Sequence, residues 1–249
     1  MCTLAIFHRT LDDLPLVVAA NRDEFYGRPA TAPVVLGHDP LAVGGRDLVA
    51  GGSWLALNQL GLVVGVLNRR TDAAPDPSRE SRGTLCVELA RSSSARQAAE
   101  LLRAVAPARH NPFNILVADR TSAFVAQNRE RGTHVQELEP GTHLLTNLDL
   151  NDPTCPRISR SARSFAAVAE RYAAGRDTSA LLAGLRRVLA DHAAVLDERS
   201  PTDHLCIHTP QYGTRSSSIL LADAGTHARF FHAPGPPCRS AYRRVALPW

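Results

Sequence analysis

The sequence predicts an α+β protein in which two antiparallel sheets carry helices on both outer faces. Three observations lead there. Strand-like and helix-like segments come in blocks, in the order strands, helices, strands, helices, strands. The strands group as hairpins rather than alternating singly with helices, which argues against a doubly wound parallel sheet. No linker composition and no repeat interrupts the 249 residues, so residues 1–249 read as one domain, with 233–249 as a Pro- and Arg-rich tail.

Taken in order, Leu4–Phe7 and Leu16–Ala20 are continuous apolar runs, as buried central strands require, and Asp12-Asp13 between them suits a turn. Gly27 to Pro33 reads as a loop. Ser53–Asn58 and Leu62–Leu67 form a hairpin around Gln59-Leu60-Gly61. Gly44-Gly45 and Gly51-Gly52 read as turn glycines, because no helix follows to make a phosphate cradle. Thr71 to Ser81, with Pro75 and Pro77, is a surface loop. Thr84–Arg91 is a short helix. Ala98, Leu101, Leu102 and Val105 then follow helical spacing until Pro107 stops it. Strands are expected at Phe113–Ala118, Ala123–Gln127, His134–Glu137 and Thr142–Asn147. Helices are expected at Ser161–Ala173 and Ser179–Leu196, the second with Leu181, Leu185, Val188, Leu189, His192 and Leu196 on one face. His204–Thr209, Ser216–Ala222 and His227–His232 close the series as strands.

Composition narrows the function. Apolar residues make up 44% and charged residues 21%, as in an ordinary globular protein. All 28 basic residues are Arg, scattered among acidic ones for a net charge of +4. No aromatic–basic interleaving marks a nucleic-acid groove. No apolar stretch approaches a membrane span, and the first twenty residues lack a signal-peptide core, so the cytoplasm is the default compartment. Five cysteines are widely spaced with no CxxC or Cys/His finger pattern, which supports neither a disulfide scaffold nor a structural zinc site. Composition gives no oligomeric state.

The chemistry concentrates at the start. Cys2 precedes the first strand, and removal of Met1 would give one residue a thiol and a free α-amine. A nucleophile then carries its own base, with the two pKa values about 8.5 and 7.7–8.0. The alternative is a cysteine that merely falls at position 2. Asn21-Arg22-Asp23-Glu24 ends the second strand, and a hairpin of the first two strands sets this polar cluster beside Cys2. A carboxylate there holds an ammonium, and an Arg stabilises a thiolate. A charged strand exit with surface ion pairs is the other reading.

The chain resembles the NRDE family, also called the Transport and Golgi organisation protein 2 family. The resemblance rests on Met1-Cys2, Ala20-Asn21-Arg22-Asp23-Glu24-Phe25-Tyr26, Arg28-Pro29, Gly51-Gly52-Ser53-Trp54-Leu55 and Asn68. It continues through Pro112-Phe113-Asn114, Leu145-Thr146-Asn147 and Tyr212-Gly213-Thr214-Arg215 with the serines after it. That family is similar in turn to Ntn hydrolases of the cholylglycine hydrolase and penicillin acylase type. The resemblance implies an αββα sandwich in which Cys2 forms an acyl-enzyme with a small amide or thioester and needs no cofactor. It implies further that Asp23 orients the amine, that Asn68 and Asn147 lie on the oxyanion side, and that Arg215 supplies a cation. Asn21 and Arg22 become binding residues, and Trp54 a core or pocket-wall residue. In those hydrolases an Arg stands where this chain has Ala20, and Arg22 need not replace it, since adjacent strand residues face opposite ways. The rival implication is a non-catalytic binder of a small molecule, with haem as its ligand, as proposed for eukaryotic members.

The remaining Cys and His residues have plainer readings. Cys206 and His208, two apart on an expected strand, share a face as a core pair or as a metal or haem edge. Cys86 and His192 read as packed helix residues.

Overall fold

In the computed structural model, residues 2–129, 132–192 and 201–249 are described. They form thirteen strands and four α-helices in an α+β arrangement, as expected. The strands are β1 (Thr3–His8), β2 (Leu16–Phe25), β3 (Ala30–His38), β4 (Leu41–Asp47), β5 (Leu55–Asn58), β6 (Val63–Asn68), β7 (Phe113–Ala118), β8 (Ala123–Arg129), β9 (Gly132–Glu137), β10 (Gly141–Leu145), β11 (Tyr212–Ala222), β12 (Ala228–Ala233) and β13 (Arg243–Arg244). The helices are α1 (Arg82–Leu89), α2 (Ala95–Ala104), α3 (Pro156–Gly175) and α4 (Thr178–Leu189). The chain divides into two compact units: residues 1–27, 140–224 and 228–246, and residues 28–139, 225–227 and 247–249.

The first unit is built on an antiparallel sheet ordered β10-β1-β2-β11-β12-β13. The apolar runs of β1 and β2 are buried throughout because β1 lies inside this sheet, between β10 and β2. Ala5, Phe7, Val17, Ala19, Ile219 and Leu221 form one core with Phe165, Leu181, Leu185 and Leu189 of the helices. Phe7 meets Phe165 edge to face at 6.4 Å, an arrangement that adds about 0.5–1.5 kcal/mol to the burial itself. Helix α3 begins five residues before the predicted Ser161. Pro156 occupies its first turn, where the missing N–H costs nothing. Asp177 caps α4 by accepting from the Ser179 and Ala180 amides. The tail is an ordered wrap: β13 pairs with β12, and the Tyr242 hydroxyl lies 2.5 Å from Ser217 Oγ.

The second unit is a seven-stranded antiparallel meander, β3 through β9 in chain order. Helices α1 and α2 pack Leu85, Leu89, Ala98 and Leu102 against Val64, Val66, Ile115 and Val117. Ser94 caps α2 by accepting from the Gln97 amide, while Gln97 Oε1 accepts from Ser93. Cys86 is a fully buried core residue, as predicted, and burial pushes its thiol up to about 12.

Several expectations change. The predicted loop Gly27–Pro33 becomes strand β3 from Ala30 onward. Pro33 fits there because β3 is an edge strand, where the ladder tolerates a residue without an N–H. Gly44 and Gly45 lie inside β4 rather than in a turn. A side chain at Gly44 would meet the Leu55 carbonyl, and one at Gly45 the Trp54 ring, so the close approach of β5 selects glycine. Gly51, with φ 76°, is a turn glycine as expected. Leu101 is exposed, and the buried stripe of α2 is Ala95, Ala98, Ala99 and Leu102. His204–Thr209 is not a strand but an irregular segment bonded at Cys206 N to the Asp191 carbonyl and at Ile207 N to Thr214 Oγ1. Helix α4 ends at Leu189, where Asn21 Nδ2 donates to the Leu189 carbonyl. That leaves His192 exposed rather than packed on a stripe, and 193–196 of the predicted helix lie outside the described residues.

Candidate active site

The site begins with the register of the central hairpin. Thr3 pairs with Asn21 across β1 and β2, so one further step sets Cys2 opposite Arg22. On the other side of β2, Ser216 faces Arg22 and Thr214 faces Asp23, with Arg215 as the bulged residue between them. On the other side of β1 the ladder ends at Leu4–Leu145. Continued two residues, that register runs to Cys2 and Asn147. The sheet thus sets Cys2 in line with Arg22 and Ser216 at the end of its central strands, with Asn147 two residues beyond the end of β10.

Alternation along β2 then separates two sets of side chains. Asn21 and Asp23 point to the helices. Asn21 Nδ2 donates to the Leu189 and Leu205 carbonyls at 2.8 Å each, and its Oδ1 accepts from Ser217 Oγ at 2.6 Å. A side chain so fully engaged fastens the end of α4 and the 205 segment to the sheet. Asp23 is the more consequential group. Its Oδ1 accepts from Thr214 Oγ1 at 2.7 Å and its Oδ2 from Arg157 Nη1 at 3.2 Å. Arg157 comes from the first turn of α3, donates to Thr3 Oγ1 and to the Thr202 carbonyl as well, and is as buried as its partner. Its Nη2 is buried with no hydrogen-bond partner among the described residues. Burial pushes the Asp23 carboxyl up to about 6; the Arg157 charge and the Thr214 hydroxyl pull the other way and do not prevail.

Arg22 projects to the opposite face. It is buried, and its positive charge acts on the Cys2 thiol. Ala20 and Arg22 are two residues apart on β2 and so share a face, which sets Arg22 on the same side as Cys2. The thiol is 3.9 Å from the Asp23 carbonyl oxygen, a long and weak contact. Burial raises the Cys2 thiol above its usual value and the Asp23 charge adds to this, while Arg22 opposes it. In the chain that still begins at Met1, Cys2 is therefore a protonated thiol at neutral pH, and a base is needed before it can attack.

The other predicted residues fall as follows. Asn147 is buried just beyond β10. Arg215 sends Nη1 to the Tyr26 carbonyl at 2.6 Å and lies over the Tyr26 ring. Asn68, the exposed last residue of β6, and Trp54, which packs on Gly45, belong to the second unit. Arg157 was missed. It lies in an arginine-rich stretch whose neighbours give no hint of burial, and the one available signal was Cys155-Pro156, which starts a helix at that point. Groups able to hold a metal gather elsewhere in the first unit, at His192, His208 and Cys238.

The family described as Transport and Golgi organisation 2 matches residues 1–233. The chain belongs to that family. Among relatives, the Transport and Golgi organization protein 2 homolog of Bos taurus is 30% identical, with 86% of this chain and 84% of that protein covered. The Homo sapiens homolog is 28% identical over the same shares. Solved structures with the same fold are more distant. Penicillin V acylase from Agrobacterium tumefaciens has a TM-score of 0.63 at 9% identity, covering 99% of this chain and 86% of that one. A variant of conjugated bile acid hydrolase from Clostridium perfringens gives 0.57 at 11%, covering 99% and 97%. The Caenorhabditis elegans N-acylethanolamine-hydrolyzing acid amidase ortholog gives 0.56 at 12%, covering 99% and 100%. At these identities the likeness establishes a shared Ntn-hydrolase-like fold.

Proposed function

We propose that this family member is an N-terminal-cysteine hydrolase or acyl-transfer enzyme acting on a small amide or thioester. The observation that carries the reading is the placement of the Cys2 thiol opposite buried Arg22, one strand step from a buried Asp23. A chain with no chemistry to perform gains nothing from burying an Arg and an Asp at the end of two central strands, since each costs several kcal/mol of desolvation. The names of the structural neighbours, a hydrolase, an amidase and an acylase, support the same class.

In the proposed sequence, removal of Met1 frees the Cys2 α-amine. The amine takes the thiol proton, and the sulfur attacks the substrate carbonyl carbon. The C–N or C–S bond then breaks, and the leaving group departs with the proton. Water or an acceptor nucleophile releases the acyl group from the Cys2 thioester. Asn147 is assigned to the oxyanion; one such donor is worth ~2.7–4 kcal/mol. Arg22 takes the role of the cation at the sulfur, and Arg215 positions the Tyr26 turn.

Intact-mass spectrometry combined with iodoacetamide mapping at pH 7 tests this. The expected result is loss of Met1 and faster labelling at Cys2 than at Cys86, slowed in Arg22→Leu. Hydrolysis of a panel of small amides and thioesters should disappear in Cys2→Ser. A retained Met1, or labelling of Cys2 no faster than of a free thiol, would sink the mechanism.

A further inference from the structure

Three groups with soft or borderline metal-ligand chemistry converge in the first unit, away from Cys2 in sequence and on different chain segments. Cys206 Sγ lies 3.5 Å from His208 Nε2 and 3.6 Å from Cys238 Sγ, and Cys238 Sγ lies 3.3 Å from the same His208 nitrogen. His192 joins them: ligand atoms of His192, His208 and Cys238 all fall within 4.8 Å of one another. The His192 ring also stands 5.2 Å from the His208 ring.

From these residues we propose a tetrahedral Cys2His2 site for a divalent zinc-like ion, with Cys206, His208, Cys238 and His192 as its ligands. The edge lengths decide the matter. Bonds of about 2.3 Å to sulfur and 2.0–2.1 Å to nitrogen, at tetrahedral angles, separate two sulfurs by about 3.8 Å and a sulfur from a nitrogen by about 3.6 Å. The observed triangle matches these edges within a few tenths of an ångström. A disulfide would need its two sulfurs about 2.05 Å apart, and all five cysteines are free. His192, exposed three residues past α4 and with a ligand atom within 4.8 Å of those of His208 and Cys238, is assigned as the fourth ligand. Its Nδ1 bonds the Ala190 carbonyl at 2.8 Å, which orients the ring and leaves Nε2 for the metal.

The surroundings suit a metal with two thiolates. Binding one dication to Cys206 and Cys238 releases two protons and leaves a neutral unit, so the nearby Arg239 is no obstacle. The turn that presents Cys238 is fixed by Ser240 and Arg239 amides on the Pro236 carbonyl, and Arg186 Nε reaches the Pro237 carbonyl. The consequence is structural. The ion would tie the end of α4, the 204–208 segment and the tail into one knot. That segment holds Asn21 through the Leu205 carbonyl and Thr214 through the Ile207 amide. The knot thus braces Asn21, two residues before Asp23 on β2, and Thr214, the partner of Asp23 on β11.

The test uses the full chain, purified with zinc present and then dialysed exhaustively. Elemental analysis should find about one zinc per chain. Cobalt titration of the metal-free protein should give thiolate-to-cobalt charge-transfer absorption, with about two protons released per ion. The Cys206→Ser/Cys238→Ser double variant should lose both signals. His192→Ala, an exposed change that leaves the fold intact by circular dichroism, should weaken zinc binding more than ~100-fold, beyond the ~10–100-fold that loss of an outer partner alone brings. Cys2→Ala should keep its zinc, which separates this site from the Cys2 chemistry. Substoichiometric zinc with no charge-transfer band, a Cys206–Cys238 disulfide in protein purified anaerobically with zinc, or equal metal content in wild type and double variant would each overturn the proposal.

Discussion

Two aspartates, each facing an arginine, have opposite fates in this molecule. Asp47, at the end of β4, accepts from Arg28 Nε at 2.6 Å and from the Val49 and Ala50 amides at 3.0 and 2.9 Å. Burial works to raise its carboxyl, but the Arg28 bond and the two amides outweigh it and hold the group below its usual value. Asp23 has an arginine and a hydroxyl, and it still rises to about 6. The difference is solvent. The Arg28 side chain is 35% exposed, while Arg157 is 3% exposed and Asp23 is fully enclosed. A pair whose arginine is 35% exposed, with its aspartate at 11%, needs only a few donors to favour the anion. In the dry pair the desolvation of Asp23 outweighs the Arg157 charge and the Thr214 hydroxyl. Asp47 therefore serves a turn, and Asp23 is held near a protonation boundary, as a group with chemical work often is.

The sharpest way to break this contrast is to remove Arg157. Arg157→Leu strands a buried carboxylate whose main compensating charge is gone. The expected loss is ~3–5 kcal/mol in urea unfolding, with the Asp23 pKa driven further up. An effect below 1 kcal/mol would mean that water already reaches this pair and that Asp23 and Asp47 differ in degree only.

The comparison also shows what was legible beforehand. The polar cluster after β2 was readable because four polar residues closing an apolar strand demand an explanation, and the hairpin register carried Asp23 and Arg22 to Cys2 as expected. Strands β1, β2, β5 to β8 and β10 were readable from apolar runs between turn residues. Strands β3 and β4 were not: β3 is an edge strand with exposed Val34 and Val35, and β4 holds two glycines selected by a neighbouring strand and a Trp. No local pattern encodes either. Arg157 and the Cys206, His208, Cys238 and His192 group failed for a related reason. Their partners lie tens to hundreds of residues away, and widely spaced Cys and His residues show no finger pattern even when the fold brings them together.

The next effect in size is the pH dependence of Asp23 itself. Its folded value of about 6 lies above the unfolded value of about 3.9. Folding therefore favours the protonated form, so the penalty is absent below about pH 4, grows as pH rises to about 6 and is constant above. The contribution is about 3 kcal/mol at most. Carboxyl-carbon NMR should show Asp23 titrating near pH 6 while Asp47 titrates well below it. A midpoint for Asp23 below 4 would erase the contrast. Any amide turnover that needs the Asp23 anion should then fall on the acid side of about pH 6.

Thr214→Val removes a smaller part of the same arrangement. The Thr214 hydroxyl donates to Asp23 Oδ1 and accepts from the Ile207 amide. Valine fills the space but removes the donor to Asp23 Oδ1 and the acceptor of the Ile207 amide, which costs ~1–3 kcal/mol. The Asp23 midpoint should move up with the loss of the donor. Thr214→Ser, which keeps the hydroxyl, should restore the midpoint even where some packing is lost, and a serine variant as shifted as the valine one would assign the effect to packing.

The smallest expected effect belongs to Arg28→Leu. It deletes an ion pair of good geometry, as Arg157→Leu does, but from a site where solvent replaces what is lost. Asp47 keeps the Val49 and Ala50 amides, so its anion is not stranded. Screening and the partial exposure of Arg28 hold the cost to roughly 1 kcal/mol or less, and raised salt should shrink the difference from wild type further. The Asp47 midpoint should rise only part of the way to its unfolded value. If Arg28→Leu proved as damaging as Arg157→Leu, exposure could not be what separates the two aspartates. The high Asp23 midpoint would then have to come from its neighbours on β1 and β11 instead.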